Sequence, residues 1–243
     1  METGRSLFLS QVGTIIPHNT PFVFWDSCAI LDIIRVLERG TFENYSRYEK
    51  FVKAIEEGRL TSITSALTIV EFDDNYQETE DDMNKTLRDM INKVKKTAGI
   101  MNDGADKIKV LEAIDHIDVT EKIKDLANRL WKKTFIINDE HKIQTATHQR
   151  TIDKKAPSEN KSQYKDCFIW NTYIMVAEEI RNAIVGPMPA SAFVSTNTSD
   201  YGEGSKNLTP HSYLVNESKS FNGSLHLNVG SLYGYLERNG VAL

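Results

Sequence analysis

Phe22-Val23-Phe24-Trp25-Asp26-Ser27 is a short apolar run that stops on a carboxylate. Ser27 is placed to cap a helix running from about Ala29 to Glu38. A strand that hands an Asp to its C-terminal end, just ahead of a helix, is how open α/β sheets build active sites. A strand-end Asp also serves as a turn former or helix cap, so Asp26 gains meaning only from its company elsewhere in the chain.

Three further polar sites recur in the same context. Leu60-Thr61-Ser62-Ile63-Thr64-Ser65 reads as a strand, and the helix it feeds carries Glu71. Lys165-Asp166-Cys167-Phe168-Ile169-Trp170 opens a helix with Asp166 in its first turn. Ala192-Phe193-Val194-Ser195-Thr196-Asn197 reads as a buried strand ending in a polar cluster that reaches Asp200. Between these sites, Tyr45 to Glu57 has helical spacing with Tyr48, Phe51, Val52 and Ile55 inward, and Gly58 suits its C-cap. Asp166 to Ile184 lines Ile169, Tyr173, Val176, Ala177, Ile180 and Ile184 along one side, and Gly186-Pro187 stops it. A strand after such a crossover makes a parallel sheet. Leu225 to Val229 reads as a last strand and Ser231 to Glu237 as a short helix.

The middle of the chain is helical. Met83, Leu87, Met90, Ile91 and Val94 form one apolar stripe, and Ile108, Leu111 and Ile114 another. Thr120 can cap a third, with Ile123, Leu126, Ala127, Leu130 and Trp131 inward. Asp139 to Asn160 is polar and basic, helical to about Lys155, and Pro157 ends it. This region is too long for a simple connection. The expected fold is therefore one α/β domain over residues 1–243, with a twisted, mostly parallel central sheet flanked by helices. Residues 1–20 form an N-terminal extension in this reading, and residues 77–160 a helical insertion whose C-terminal part lies near a substrate groove.

Composition bounds the function. The 243 residues are 40% hydrophobic, enough for one large domain. No run of about 18 apolar residues exists, so no membrane span is expected, and Leu7-Phe8-Leu9 is too short for a signal-peptide core. Cys28 and Cys167 cannot form a zinc site alone and suit a reducing cytoplasm. Each lies within two residues of a candidate Asp, which allows them to be near each other, although two small buried apolar residues would look the same. A net charge of −5 argues against a dedicated duplex-DNA binder. The charge is uneven, however. Glu71 to Asp82 holds seven acidic residues and no basic ones, whereas Lys142, Arg150, Lys154, Lys155, Lys161 and Lys165 crowd the stretch before Asp166. That stretch suits a phosphate backbone, or a solvated face.

The order Asp26, Glu71, Asp166, then Ser195-x-Asn197 with Asp200, resembles the PIN domain family of metal-dependent nucleases, from about Pro21 to Leu236. The resemblance implies a Mg²⁺ or Mn²⁺ site held by Asp26, Glu71, Asp166 and Asp200, with Asn197 also catalytic and Ser27 and Ser195 orienting the carboxylates. It implies endonucleolytic cleavage of single-stranded or structured RNA in preference to DNA, leaving 5′-phosphate and 3′-hydroxyl ends. Lys154, Lys155, Lys161 and Lys165 would then hold the nucleic acid. Asn197 departs from the family pattern, where Asp is usual; it keeps one oxygen ligand and loses the charge. A toxin-like, defence-associated or RNA-processing nuclease would share this pattern, and a protein partner or inhibitor and a homo-oligomer remain open.

The chemistry is coherent without the resemblance. Phosphodiester cleavage needs an activated water and neutralised charge on the phosphate, and hard divalent ions on oxygen ligands supply both. Carboxylates brought together from separate elements repel one another unless a cation joins them. Competing readings lack residues they need. A haloacid-dehalogenase-like phosphatase needs a second Asp two positions after the first, where Cys28 stands. A nucleotide-binding turn needs glycines that Asp26-Ser27-Cys28 lacks. His141 and His148 could share a helical face, but no HExxH motif exists. The remaining alternative is a PIN-like binding or scaffold module with a degenerate site.

Overall fold

The computed structural model describes residues 4–17, 19–100, 119–159, 163–203 and 209–243, with backbone alone for 99 and 100. In chain order these form β1 (Ser6–Leu7), α1 (Leu9–Ile15), β2 (Phe22–Trp25), α2 (Ser27–Ile34), α3 (Val36–Arg39) and α4 (Phe42–Glu56). Then come β3 (Thr61–Ser65), α5 (Ala66–Ile100), α6 (Val119–Lys133), β4 (Thr134–Ile137), α7 (His141–Ile152) and α8 (Tyr164–Ala183). The chain closes with β5 (Ser191–Val194), α9 (Thr198–Tyr201), β6 (Gly202–Glu203), β7 (Thr209–Pro210), α10 (Ser212–Lys219), β8 (Gly223–His226) and α11 (Val229–Arg238). The expected stripe Ile108, Leu111 and Ile114, and Lys161, lie outside the described residues.

Among the described residues one six-stranded sheet runs β1-β4-β3-β2-β5-β8, every pairing parallel. β6 and β7 form a separate antiparallel pair. The apolar run of β2 follows from its place in the middle of this sheet. Side chains alternate between the two faces of a strand. Val23 and Trp25 enter a core with α2, α4, α6 and α11, while Phe22 and Phe24 enter a second core with α1 and α8. A strand covered by helices on both faces has no polar face to show. Each fully buried Phe, Ile or Leu contributes roughly 1.5–3 kcal/mol, so both layers are held firmly.

Several elements depart from expectation. Residues 4–17, in the stretch read as an N-terminal extension, carry regular elements: β1 extends the sheet beside β4, and Leu9 and Val12 of α1 are buried against the α8 layer. Gly4 permits this approach, because a Cβ there would collide with the Thr134 carbonyl oxygen. The span read as helical insertion contains β4, which pairs β3 in the register Ser62↔Thr134. Thr134 locks that register by accepting or donating at 2.6 Å with the Ser62 hydroxyl. The helix after Asp26 is divided into α2 and α3, and Asp26 itself is its N-cap, with Ser27 already helical. α7 stops at Ile152, and the last strand comes earlier, at Gly223–His226. α4 and Gly58 match the reading: Gly58 takes φ +73°, a conformation that favours glycine after a helix.

Candidate active site

β2 has β3 on one side and β5 on the other. The chain builds outward from β2 through β3 and β4, then crosses back to add β5 and β8, so the strand order reverses beside β2. Open α/β sheets bind ligands in the crevice at such a reversal, outside the C-terminal strand ends. Asp26 follows β2 there, and Ser195 follows β5. Glu71 sits on α5 directly after β3, and Asp166 in the first turn of α8. Asp26, Ser27, Glu71, Lys165, Asp166 and Asn197 all line one cavity of about 380 Å³.

Hydroxyls organise these carboxylates. The Ser195 hydroxyl donates to Asp26 Oδ2, and the Ser27 backbone N–H donates to Asp26 Oδ1 at 2.9 Å. The Ser27 hydroxyl donates to Glu71 Oε2 at 2.9 Å, tying α5 to the end of β2. The Asn197 backbone N–H donates to Ser195 Oγ at 3.1 Å. The Asn197 side chain departs from the oxygen-ligand expectation. Its Oδ1 accepts from Ser199, while its Nδ2 donates to Asp200 at 2.7 Å and reaches toward Asp166 at 3.4 Å. Asp200 is off the cavity lining, held by Asn197 and by Gln163 Nε2 at 2.6 Å. Tyr201 donates to the Asp166 carbonyl at 3.1 Å and fixes the start of α8.

Residues 23–201 match the PIN domain in a comparison with protein families. The chain belongs to the PIN domain family. PIN domains are generally nucleases that use divalent metals, which gives this chain a nuclease-like character. No curated protein and no solved structure matches the chain.

The electrostatics of the PIN site favour a cation. Burial pushes the Asp26 carboxyl up to about 7, against the hydrogen bonds from Ser195 and Ser27, and the Glu71 charge adds to the rise. Burial likewise pushes Asp166 up to about 7, helped by the charges of Asp26, Asp200 and Glu71. Glu71 is raised too, chiefly by burial, with Lys165 opposing at 3.8 Å. Burial is the main cause in all three, and the charges of Glu71 on Asp26 and of Asp26 and Glu71 on Asp166 add to it, the arrangement that a bound cation would relieve. The carboxylates of Asp26, Glu71 and Asp166 offer oxygen donors, the chemistry of hard ions such as Mg²⁺ and Mn²⁺. Among the described residues no three His, Cys, Asp or Glu side chains already surround a single point as a metal cage.

The cavity also contains residues that the sequence reading passed over: Arg35, Asn75, Gln163 and Tyr164. Helical spacing holds a signal for two of them. Ser27, Leu31 and Arg35 follow at four-residue intervals on one face, as do Glu71 and Asn75. Tyr164 stands inside the basic stretch, where an aromatic is a nucleic-acid signal. Of the candidate lysines, Lys165 reaches the cavity, whereas Lys154 and Lys155 are exposed on the connection after α7, off its lining. Cys28 lines the cavity and Cys167 is buried in α8, both as free thiols.

Proposed function

We propose that this PIN domain is a metal-dependent endoribonuclease. The observation that carries the reading is the convergence of Asp26, Glu71 and Asp166, from three separate elements, on one cavity at the strand-order reversal. Asp26, Glu71 and Asp166 would hold Mg²⁺ or Mn²⁺, with water completing the shell. The bound ion would supply an activated water and neutralise charge on the scissile phosphate. Ser195 and Ser27 hold Asp26 and Glu71 in fixed orientations, so little rearrangement accompanies substrate entry. Asn197 positions Asp166 and Asp200 through its amide N–H groups, and Asp200 acts from behind the cavity. Lys165 offers a positive charge to the nucleic-acid backbone, with Lys154 and Lys155 extending that path along the connection after α7. RNA over DNA and a cytoplasmic setting complete the reading. Free thiols at Cys28 and Cys167 suit a reducing compartment, and no helix among the described residues is long and apolar enough to cross a membrane.

Asn197 favours a second reading, an RNA-binding PIN module without catalysis, because an amide stands where a carboxylate would add charge to the ion site. Incubation of the purified chain with single-stranded RNA, in Mn²⁺ and in EDTA, separates the two. Metal-dependent product ends support the nuclease. Tight binding with intact RNA in Mn²⁺ rejects it in favour of the module.

A further inference from the structure

A cavity that cleaves a nucleic-acid strand must hold a nucleotide as well as a phosphate, and the carboxylates serve only the latter. Tyr164 is the first residue of α8, two positions before Asp166; it lines the cavity and stays 43% exposed. Its ring lies 6.5 Å from that of Phe168, one turn along the helix, with the planes tilted by 34°. The Tyr164 side chain thus has Phe168 as an aromatic neighbour on its own helix and keeps much of its surface accessible. Lys165 follows it on the same cavity wall. Arg35, at the junction of α2 and α3, lines the cavity from another element and donates to Thr79 Oγ1 at 3.4 Å.

Resting on the nuclease reading above, we propose that Tyr164 is a nucleobase platform, with Arg35 and Lys165 gripping the phosphates beside the stacked nucleotide. Exposed aromatic surface is costly to leave in water, and every base has a π-face that can stack on an aromatic side chain. Arg35 brings a planar fork that matches phosphate oxygens, and Lys165 a compact charge. The cavity, about 380 Å³, lies at the small end of ligand sites, with room for one nucleotide rather than a base pair. A base can reach the Tyr164 ring only when it has left its own stack, so the subsite selects an unpaired nucleotide.

The test uses the whole chain, a fluorescent short single-stranded RNA, and the same RNA with one abasic position moved along it. Binding is measured with Ca²⁺ in place of Mn²⁺, and cleavage separately with Mn²⁺. Tyr164→Ala should weaken binding roughly tenfold or more, the scale of a lost base stack, while Tyr164→Phe keeps the wild-type value. Wild type should lose affinity when the abasic position falls at one place in the strand, and Tyr164→Ala should lose that sensitivity. Arg35→Ala should lower the salt dependence of binding without removing the abasic signature. Wild-type affinity in Tyr164→Ala, or a wild type blind to the abasic position, overturns the platform whether or not the chain cleaves RNA. A wild type with the full Tyr164 signature but no Mn²⁺-dependent cleavage overturns the nuclease reading and leaves the platform standing. Absence of any RNA binding overturns both.

Discussion

The C-terminal ends of β2 and β8 lie two strands apart in the same sheet, and each buries a titratable side chain. Asp26 is 2% exposed and His226 6%. Burial drives both toward the neutral form: it raises Asp26 to about 7 and lowers His226 to about 4. Their surroundings differ. Asp26 faces the like charge of Glu71, raises Asp166 in turn, and opens onto the cavity. His226 shares a 3.2 Å hydrogen bond with Ser231 and packs its ring 5.0 Å from Tyr235, with the Arg238 charge adding to its depression. Its Nε2 has no hydrogen-bond partner among the described residues. A perturbed ionisation is thus common to a packing position and to a candidate site. Like charges converging on open space set the second apart.

The widest separation between the two ends is in activity. Asp26→Asn should lower Mn²⁺-dependent cleavage by more than about 100-fold, the scale of losing one charged group from a reacting site. In metal-free protein the same change removes a charge that Glu71 and Asp166 repel, so the melting temperature should stay level or rise. It should also shrink the stabilisation given by Mn²⁺. An Asp26 that serves only as a helix cap would tolerate Asn in every assay. Full cleavage by the mutant therefore removes Asp26 from the mechanism.

His226 should reveal itself through pH and leave cleavage untouched. Its folded value, about 4, lies below the ordinary 6.5, so between these limits the unfolded chain binds more protons than the folded one. The His226 contribution is then complete above pH 6.5 and is lost as the pH drops toward 4. The groups facing the imidazole, Ser231, Tyr235 and the cationic Arg238, offer no anion to receive the proton. The loss is on the order of 2–3 kcal/mol. Urea unfolding at pH 7 and pH 4.5 should show a steeper pH dependence for wild type than for His226→Phe. Equal slopes would mean that His226 is not held neutral by the fold.

What the sequence made visible follows the same division. β2, β5 and α8 stood out because strong apolar patterns adjoin turn or cap residues, and β3, rich in Thr and Ser, because it lies between Gly58 and a helix. β4 was hidden because Thr134 follows Lys133 with no glycine or proline between helix and strand. β1 has two residues, too few for a period. In the site, Asp26 announced itself by position after an apolar run, and Glu71 and Asp166 by their early places on helices. Lys165 stood out within the basic stretch, whereas Arg35 and Tyr164 did not, since Arg35 becomes a site residue only when α2 ends beside the cavity. The orientation of Asn197 depends on Ser199 and Asp200 acting together, a side-chain network that spacing does not encode.

That network supplies a smaller effect. Asn197→Asp replaces two N–H donors by a carboxylate facing Asp166 and Asp200. Metal-free protein should lose on the order of 1–2 kcal/mol through repulsion and lost hydrogen bonds. Mn²⁺ should restore more stability than it gives wild type, because an added ligand charge tightens binding to the folded state. Paired thermal melts with and without Mn²⁺ read both changes. An identical Mn²⁺ response in the two proteins would place Asn197 outside the ion site.

Lys165 should give the smallest change in stability and still be informative. Its ammonium lies 3.8 Å from Glu71 Oε1, and the side chain is well exposed. Such a pair contributes less than about 1 kcal/mol, so Lys165→Ala should melt close to wild type. Its effect belongs to RNA binding. Removing one phosphate contact should lower the slope of log affinity against log salt by about one, uniformly across RNA sequences. That uniformity separates Lys165 from Tyr164, whose loss acts at one nucleotide. Lys154 and Lys155 are exposed off the cavity, and Lys155 is engaged by Asp153 at 3.2 Å. Their alanine variants should change the slope less. If they flatten it as much as Lys165→Ala, the strand also runs along the connection between α7 and α8. If Lys165→Ala leaves the slope unchanged while Lys154→Ala and Lys155→Ala reduce it, the backbone enters from that connection and Lys165 serves Glu71 alone.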